Sequence, residues 1–264
     1  MDRGNEEAGI SDPHARILDG SRILHAFDAS LFAPGPARDG RFAVKERWIE
    51  CSNFPVGHPE QVVQFLHRQM NEEVDSLESS ARNLSDFPDE DWEVRMYLAR
   101  QCADEARHAR MFRRLFEKRG GTVGQYPVLN FQYRIITQFD SLAARLAIQN
   151  RSFEAGGLDA ITVSIEQARK DGDFELAELY EAQIADEITH VRFANEWIRK
   201  LGEKNPANLL RIAQAMEIAS KAFAAVMGKE GTEGVNYPAD KQGRLEAGFT
   251  REEVEITANP MSHT

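Results

Sequence analysis

Two matching pentapeptides carry the residue types that bind metal ions in helical proteins. Residues 104–108 read Asp-Glu-Ala-Arg-His and residues 186–190 read Asp-Glu-Ile-Thr-His. The copies lie 82 positions apart, and flanking Gln, Ala, Arg, Lys and Gly residues coincide at the same offset. On a helix, a Glu three residues before a His shares its face, because three residues rotate by about 300° around the axis. Each copy therefore places a carboxylate beside an imidazole.

Two further glutamates lie on predicted buried stripes at matched distances. Glu73 continues an apolar stripe of 3-4 spacing and precedes Glu105 by 32 residues, and Glu154 precedes Glu187 by 33 residues. Burying an unpaired carboxylate costs several kcal/mol, so four such groups need bound cations. One Glu from each of two helices, with Glu-x-x-His from each of two others, is the ligand set of a carboxylate-bridged dimetal centre.

The predicted ligands divide between two ions. They are Glu73, Glu105, His108, Glu154, Glu187 and His190. We expect Glu73 and His108 to bind one ion. We expect Glu154 and His190 to bind the other. The catalytic Glu105 and Glu187 would bridge both ions. Oxygen and imidazole ligands suit iron or manganese. We expect two iron ions (Fe2+/Fe3+), while manganese or a mixed pair stays open. Glu166 is a fallback for Glu154, although its spacing is wrong.

Neighbouring residues suggest supporting roles. Asp104 and Asp186 each precede a His by one helical turn, so we expect each to accept the second ring N–H of its own His. Cys102 and Tyr180 face the same way as the ligands, and each could line a substrate pocket, take part in redox chemistry or simply pack in the core. His67 lies off the Glu73 stripe, which indicates a surface or packing histidine.

The elements that must position these residues are helices. Periodicity predicts a helix from about residue 59, a second over 90–119, a third from 139 with a bend or break at Gly156-Gly157, a fourth that ends at Gly202 and a fifth over 207–227. A last helical turn is expected within 244–256. We therefore expect an all-α single domain: an irregular N-terminal arm (1–58) with a mobile start, a four-helix bundle (59–204), and an additional helix and tail (205–264).

Composition excludes several classes of protein. The formal net charge of −11 disfavours general nucleic-acid binding, because phosphate contacts need clustered basic residues. A predicted basic stripe lies opposite the ligands and consists of Arg107, Arg110, Arg114 and Lys118. We expect it to be solvated or to contact acidic residues rather than to bind nucleic acid. Two cysteines cannot form a disulfide framework or a Cys-rich zinc site. The chain has no apolar run of membrane-spanning length, so we expect a soluble cytoplasmic protein.

Several of these stretches resemble known families. The motif at 104–108 looks like that of ferritin-like di-iron carboxylate proteins, including bacterial multicomponent monooxygenases. A branch catalogued only as a domain of unknown function is similar at 65–68 (FLHR), 154–159 (EAGGLD), 186–191 (DEITHV) and 244–250 (RLEAGFT). The resemblance spans about 60–255, and the first 45 residues have no counterpart. This chain differs from the usual pattern of that branch at position 69, where it has Gln69 and a Glu is expected. The resemblance implies a ferritin-like bundle with a non-haem di-iron centre, and relatives include a tRNA hydroxylase and small-molecule oxygenases.

These observations favour an O2-dependent oxygenase or oxidase. We expect it to hydroxylate, N-oxygenate or desaturate a small organic substrate in a biosynthetic pathway, with electrons from a reductase, a ferredoxin or the substrate. An iron-handling or peroxide-scavenging protein, a tRNA-modifying hydroxylase, and a helical module that has lost its metal are the alternatives. The oligomeric state is open, with a homodimer as a working guess.

Overall fold

The structure, a computed structural model, describes residues 17–18, 22–23, 28–55, 57–232 and 237–258. Contacts divide the chain into two units, Met1–Ser30 and Leu31–Thr264. In the first unit, strand β1 (Ile17–Leu18) pairs antiparallel with β2 (Arg22–Ile23). The expected mobility of the first ten residues lies outside the described residues.

The second unit is built almost entirely from helices, which confirms the predicted all-α class. The helices are α1 (Gln61–Asp86), α2 (Trp92–Lys118), α3 (Gln132–Ile136), α4 (Leu142–Ile148), α5 (Ala155–Lys170), α6 (Phe174–Lys204), α7 (Ala207–Thr232), α8 (Lys241–Glu246) and α9 (Arg251–Ala258). A six-residue π-helical segment, Gln149–Glu154, joins α4 to α5. Short 3-10 turns occur at Ala29–Leu31 and Trp48–Glu50. Strand β3 (Val44–Lys45) pairs parallel with β4 (Val128–Leu129).

The long helices bury their apolar residues in several clusters, two of which lie toward opposite ends of α2. Helix α1 packs on α2, α5 packs on α6, and α2 also contacts α6. One cluster contains Leu66, Phe112 and Tyr180, and the other contains Leu98 and Phe193. Between these clusters, α2 buries Gln101, Glu105 and His108, and α6 buries Gln183, Glu187 and His190. A buried polar layer therefore lies between two apolar layers.

Residues 31–60, which lie before α1, attach to the helices through Arg38. Its guanidinium donates hydrogen bonds to Asp75 and Glu78 of α1 and to Asn130 beyond β4. The side chains of Arg38 and Asp75 are almost fully buried. A buried charge of this kind is retained only when it is paired and hydrogen-bonded, so these contacts fix the segment against α1.

Two sequence expectations are wrong. The helix does not break at Gly156-Gly157, because α5 runs through both glycines. A Cβ built on either glycine would meet nothing within 4 Å. The two glycines therefore border open space and do not end the helix. The C-terminal segment holds two short helices, α8 and α9, where one turn was expected. Arg244 of α8 anchors this segment through two hydrogen bonds to Asp159 of α5.

The other boundaries differ by small amounts. Helix α6 continues past Gly202 to Lys204, and α7 extends to Thr232 with non-helical backbone at Gly228. Within the described ranges, no helix is both long and apolar enough to cross a membrane.

Candidate metal centre

Six side chains from four helical segments converge in the polar layer. Their ligand atoms form two groups, Glu73, Glu105, His108 and Glu187, and Glu105, Glu154, Glu187 and His190. Within each group these atoms all lie within 4.8 Å of one another, and Glu105 and Glu187 belong to both. The structure thus brings together all six residues that the sequence singles out.

Helical periodicity explains how these residues reach one place. Glu105 and His108 lie on α2, and Glu187 and His190 lie on α6, each between the two apolar clusters of the core. Glu73 lies near the middle of α1, and Glu154 is the last residue of the π-helical segment. Glu105 is 1% exposed and His108 is 0% exposed, so the centre of the cluster is buried.

Both histidines turn the same ring nitrogen toward the carboxylates. His108 Nδ1 lies 3.2 Å from a Glu73 oxygen and 3.3 Å from a Glu105 oxygen. His190 Nδ1 lies 3.2 Å from a Glu187 oxygen. The ring centroids are 6.3 Å apart. Each Nδ1 is therefore the atom available to an ion among the carboxylates.

The Asp–His pairing is different from the sequence expectation. His108 Nε2 lies 3.1 Å from Asp186 on α6, and His190 Nε2 lies 3.3 Å from Asp104 on α2. Each aspartate thus contacts the His of the other helix, and the predicted pairing within one helix is wrong. Because Nδ1 faces the Glu three residues earlier, Nε2 on the opposite side of the ring points across to the neighbouring helix.

Two glutamines complete the pattern, and the sequence reasoning assigned them no role. Gln101 Nε2 donates to Glu154 at 2.6 Å, and Gln183 Nε2 donates to Glu73 at 2.8 Å. Each glutamine lies one helical turn before a shared glutamate, on the side of its helix that carries the His. The signal was present in the repeat, where these two residues coincide.

The remaining amides and hydroxyls gather around Glu154. Ser76 Oγ lies 3.0 Å from a Glu105 oxygen and 3.3 Å from a Glu154 oxygen, so its one O–H can donate to either carboxylate. Asn150 Nδ2 donates to Glu154 at 2.7 Å, and Gln149 Nε2 lies 3.5 Å from the same carboxylate. Gln149 and Asn150 belong to the π-helical segment, so its widened turn brings donors toward the glutamate that ends it.

A cavity of about 640 Å³ opens onto one side of this cluster. Its described wall includes all four ligand glutamates, but neither His108 nor His190. The cluster therefore presents carboxylates to the cavity and imidazoles to the opposite side. Gly156 and Gly157 also border the cavity, which explains why open space surrounds their Cα atoms.

The two residues predicted as pocket lining have different positions. Tyr180 borders the cavity, and burial raises the pKa of its phenol, so it stays protonated at neutral pH. Cys102 lies outside the described wall, and its Sγ lies 3.7 Å from the carbonyl oxygen of Leu77. The pocket-lining alternative for Cys102 is wrong, and the packing alternative fits, because on α2 this residue flanks Glu105 on the side away from His108 and faces α1.

His67 is a packing histidine and not a surface one. It is 0% exposed and contacts the rings of Phe42, Phe116 and Tyr126. Its Nε2 accepts a hydrogen bond from the backbone N–H of Gly124 at 2.9 Å. Burial lowers the pKa of His67 to about 4, so the ring is neutral at physiological pH.

A family model described as "Protein of unknown function (DUF455)" matches residues 16–255. The chain belongs to the DUF455 family. The match begins well before residue 45, so the expectation that the first 45 residues have no counterpart is wrong. A curated protein of Haemophilus influenzae (strain ATCC 51907 / DSM 11121 / KW20 / Rd), named "Uncharacterized protein", is 29% identical over 111 residues. That match covers 42% of this chain and only 35% of the relative. No solved structure matches.

Electrostatics make the cluster of this DUF455 chain a strong site for positive charge. Burial raises the pKa of Glu73, while burial together with the charges of Glu187 and Glu105 raises the pKa of Glu154 to about 8. Burial opposes charge on His108 and His190, but hydrogen bonds to the surrounding carboxylates raise the pKa of both. The same hydrogen bonds overcome the effect of burial at Glu187 and lower its pKa to about 2.

The buried glutamates and histidines could therefore hold a metal ion. Four carboxylates in a buried layer need positive charge, which protons or cations can supply. The side-chain oxygens and Nδ1 atoms already converge, and the amide and carboxylate contacts behind them limit their rotation. Such outer contacts orient metal ligands and tune their basicity.

Proposed function

We propose that this chain is a non-haem di-iron oxygenase or oxidase built on a ferritin-like four-helix bundle. The observation that carries the proposal is the overlap of the two ligand groups. Glu105 and Glu187 belong to both groups, while each group has its own His and its own further Glu. Two ions that share two carboxylates fit this donor set.

The chemistry of the donors favours iron. Carboxylate oxygens and imidazole nitrogens, with no thiolate among the candidate ligands, suit iron or manganese. Glu73 and His108 would hold one ion, and Glu154 and His190 would hold the other. Two divalent ions would balance the four glutamates. A ferrous pair, when bound, supplies the electrons for O2 activation.

The protein's own residues would bind, orient and exclude water. The apolar layers on either side limit access of water to the cluster except through the cavity, and an organic molecule bound there would exclude water on that side as well. Asp104 and Asp186 would hold the imidazoles by accepting from Nε2, so that Nδ1 remains unprotonated toward the ions. Gln101 and Gln183 would orient the two terminal glutamates.

The cavity supports oxidation of a small organic molecule over the rival functions. A volume of about 640 Å³ next to the carboxylates lies in the range of small-molecule sites. The basic stripe that a tRNA substrate would need is partly neutralised, because Arg107 pairs with Asp104 and Asp186 and Lys118 pairs with Glu175. Iron handling alone gives no reason for such a cavity.

Metal content and O2 uptake test the proposal together. The protein would be loaded with Fe(II) without air, and iron per chain measured by elemental analysis. We expect two irons per chain and O2 consumption that rises when an organic substrate and an electron donor are supplied. Failure to retain two metals after reloading would refute the di-iron assignment. Two irons with rapid O2 or peroxide consumption that no organic compound alters would favour iron handling or peroxide scavenging.

A further inference from the structure

The wall of the cavity, apart from the cluster, is largely apolar. It includes Phe65, Phe131, Phe153, Phe223, Met216 and Met227. Among the described residues that line the cavity, Arg68 is the one Lys, Arg or His side chain. An apolar cavity with one cation selects for molecules with an apolar body and one anionic group.

Aromatic rings hold the Arg68 guanidinium in place. Its Cζ lies 4.7 Å from the centre of the Trp48 ring and 5.2 Å from the centre of the Phe65 ring. The Arg68 side chain is only 21% exposed. A guanidinium held on aromatic faces keeps its N–H groups, which lie in its plane, available to a ligand.

The same guanidinium has hydrogen-bonding capacity to spare. Arg68 Nε is buried and donates no hydrogen bond within the described part of the chain. Its charge partner Glu72 lies 3.6 Å away, which is beyond hydrogen-bond distance. Glu72 instead accepts a hydrogen bond from Gln69 at 3.0 Å. A buried donor without an acceptor is costly, and a ligand oxygen would remove that cost.

We propose that the cavity binds an organic monocarboxylate whose carboxylate pairs with Arg68 and whose apolar body extends along the aromatic wall to the glutamate cluster. The substrate role of this molecule rests on the proposed function. Arg68 and Glu73 lie five residues apart on α1, about 7.5 Å along the axis, so the carbon at the cluster lies several bonds from the carboxylate. A single cation, with no second basic side chain in the described wall, matches one negative charge better than a phosphate dianion.

Binding of three matched probes tests this proposal. The probes are 6-phenylhexanoate, its primary amide and 6-phenylhexylamine, which share one apolar body and differ in the charge of the head group. Calorimetry would measure their affinities for protein loaded with Fe(II) without air, and the iron content of each sample would be measured in parallel. The variants are Arg68→Met, Arg68→Lys and Glu72→Gln. Arg82→Met is the control, because Arg82 is 53% exposed on the same helix and pairs with Asp86.

The wild type should bind the acid about 10- to 100-fold more tightly than the amide, as expected for charge-assisted hydrogen bonds. Arg68→Met should remove this preference without changing the affinity for the amide. Arg68→Lys should retain part of it, because an ammonium keeps the charge but loses the planar fork. Glu72→Gln should strengthen binding of the acid, and Arg82→Met should change nothing.

Four results would overturn the proposal. They are equal affinity of the wild type for acid and amide, tighter binding of the amine than of the acid, an acid preference that survives in Arg68→Met, and no binding of the acid up to its solubility limit. The iron measurement separates this outcome from failure of the proposed function. Protein that holds no iron yet prefers the acid through Arg68 would refute the di-iron assignment alone. Two irons without an acid preference would refute the carboxylate site alone.

Discussion

The two halves of the candidate metal centre present equivalent candidate ligands on helices of different construction. Glu73 lies within the regular helix α1, whereas Glu154 ends a π-helical segment between α4 and α5. Glu73 accepts one amide hydrogen bond from Gln183 among the described side chains, while Glu154 accepts from Gln101, Asn150 and Ser76. The two copies of the repeat, on α2 and α6, contribute nearly symmetric residues. The elements that supply the remaining glutamates, α1 and the π-helical segment, are not alike.

Glu73 and Glu154 thus occupy equivalent positions in the cluster although their backbone conformations differ. A π turn is rare, is less favourable than an α turn and occurs frequently at functional sites. Here the segment brings Asn150 and Gln149 toward Glu154, so side-chain donors accompany the irregular backbone. Ser152 and Phe153 of the same segment also border the cavity. The Glu154 half therefore shapes the cavity as well as the cluster.

The largest effect is expected where the halves meet. Glu105→Ala or Glu187→Ala removes an oxygen ligand from both ion positions, so each variant should lose both irons and keep its helical content. Iron per chain after anaerobic reloading and far-ultraviolet circular dichroism would measure this. Glu166→Ala is the control, because Glu166 is exposed on α5 and should retain two irons. Two irons in either bridging variant would show that the halves do not share that glutamate.

Deleting Ser152 should abolish iron binding in the Glu154 half and leave it intact in the Glu73 half. The deletion removes the extra residue of the π turn and rotates Glu154 by about 100° relative to α4, away from its donors. We expect one iron per chain, held by the Glu73 half, and Ser152→Ala should keep two because the chain length is unchanged. Elemental analysis would be combined with thermal unfolding to verify folding. A folded deletion variant that retains two irons would show that the π turn does not place Glu154.

The two glutamines should have unequal effects. Gln183→Leu leaves Glu73 without its described amide donor, whereas Gln101→Leu leaves Glu154 with Asn150 and Ser76. Loss of such outer contacts typically weakens metal binding by about 10- to 100-fold. We expect Gln183→Leu to weaken Fe(II) binding by about 100-fold and Gln101→Leu by about 10-fold. Competition with a chelator for Fe(II) would measure both losses. Equal losses, or the reverse order, would contradict the assigned asymmetry.

The smallest expected effect is on the pH dependence of stability, and it comes from His67 of α1. Because the pKa of His67 is about 4 in the folded protein, the unfolded chain, with its pKa near 6.5, binds the proton more readily. Stability should therefore be full above about pH 6.5 and fall toward pH 4, by about 1 to 2 kcal/mol between pH 7 and pH 5. Urea unfolding of the wild type and His67→Gln at both values would measure this. A variant with the same pH dependence as the wild type would exclude His67 as its source.

Sequence reasoning reached the ligands because they repeat with helical periodicity. The spacing of Glu73, Glu105 and His108 fixes which side chains share a face, and burial of several carboxylates demands a cation. It missed the π-helical segment, because the choice between α and π turns depends on tertiary contacts of Asn150 and Gln149. Local residue spacing carries no information on those contacts.

The crossed Asp–His contacts were missed for a different reason. They depend on which ring nitrogen of His108 and His190 faces the glutamates and on which helix lies beside each ring. Spacing within one helix specifies neither. The pocket-lining alternative for Cys102 could have been excluded from the sequence, because helical geometry puts Cys102 and His108 on opposite sides of Glu105.

The imidazole side of the cluster has its own route to the surface. His108 contacts Asp186, Asp186 pairs with Arg107, and Arg107 is 46% exposed. The cavity lies on the opposite, carboxylate side. Under the proposed function, a reductase or ferredoxin could deliver electrons through the histidine side while an organic molecule occupies the cavity. The electron donor and the organic molecule would then not compete for one surface, so a molecule that fills the cavity should leave binding of the electron donor unchanged.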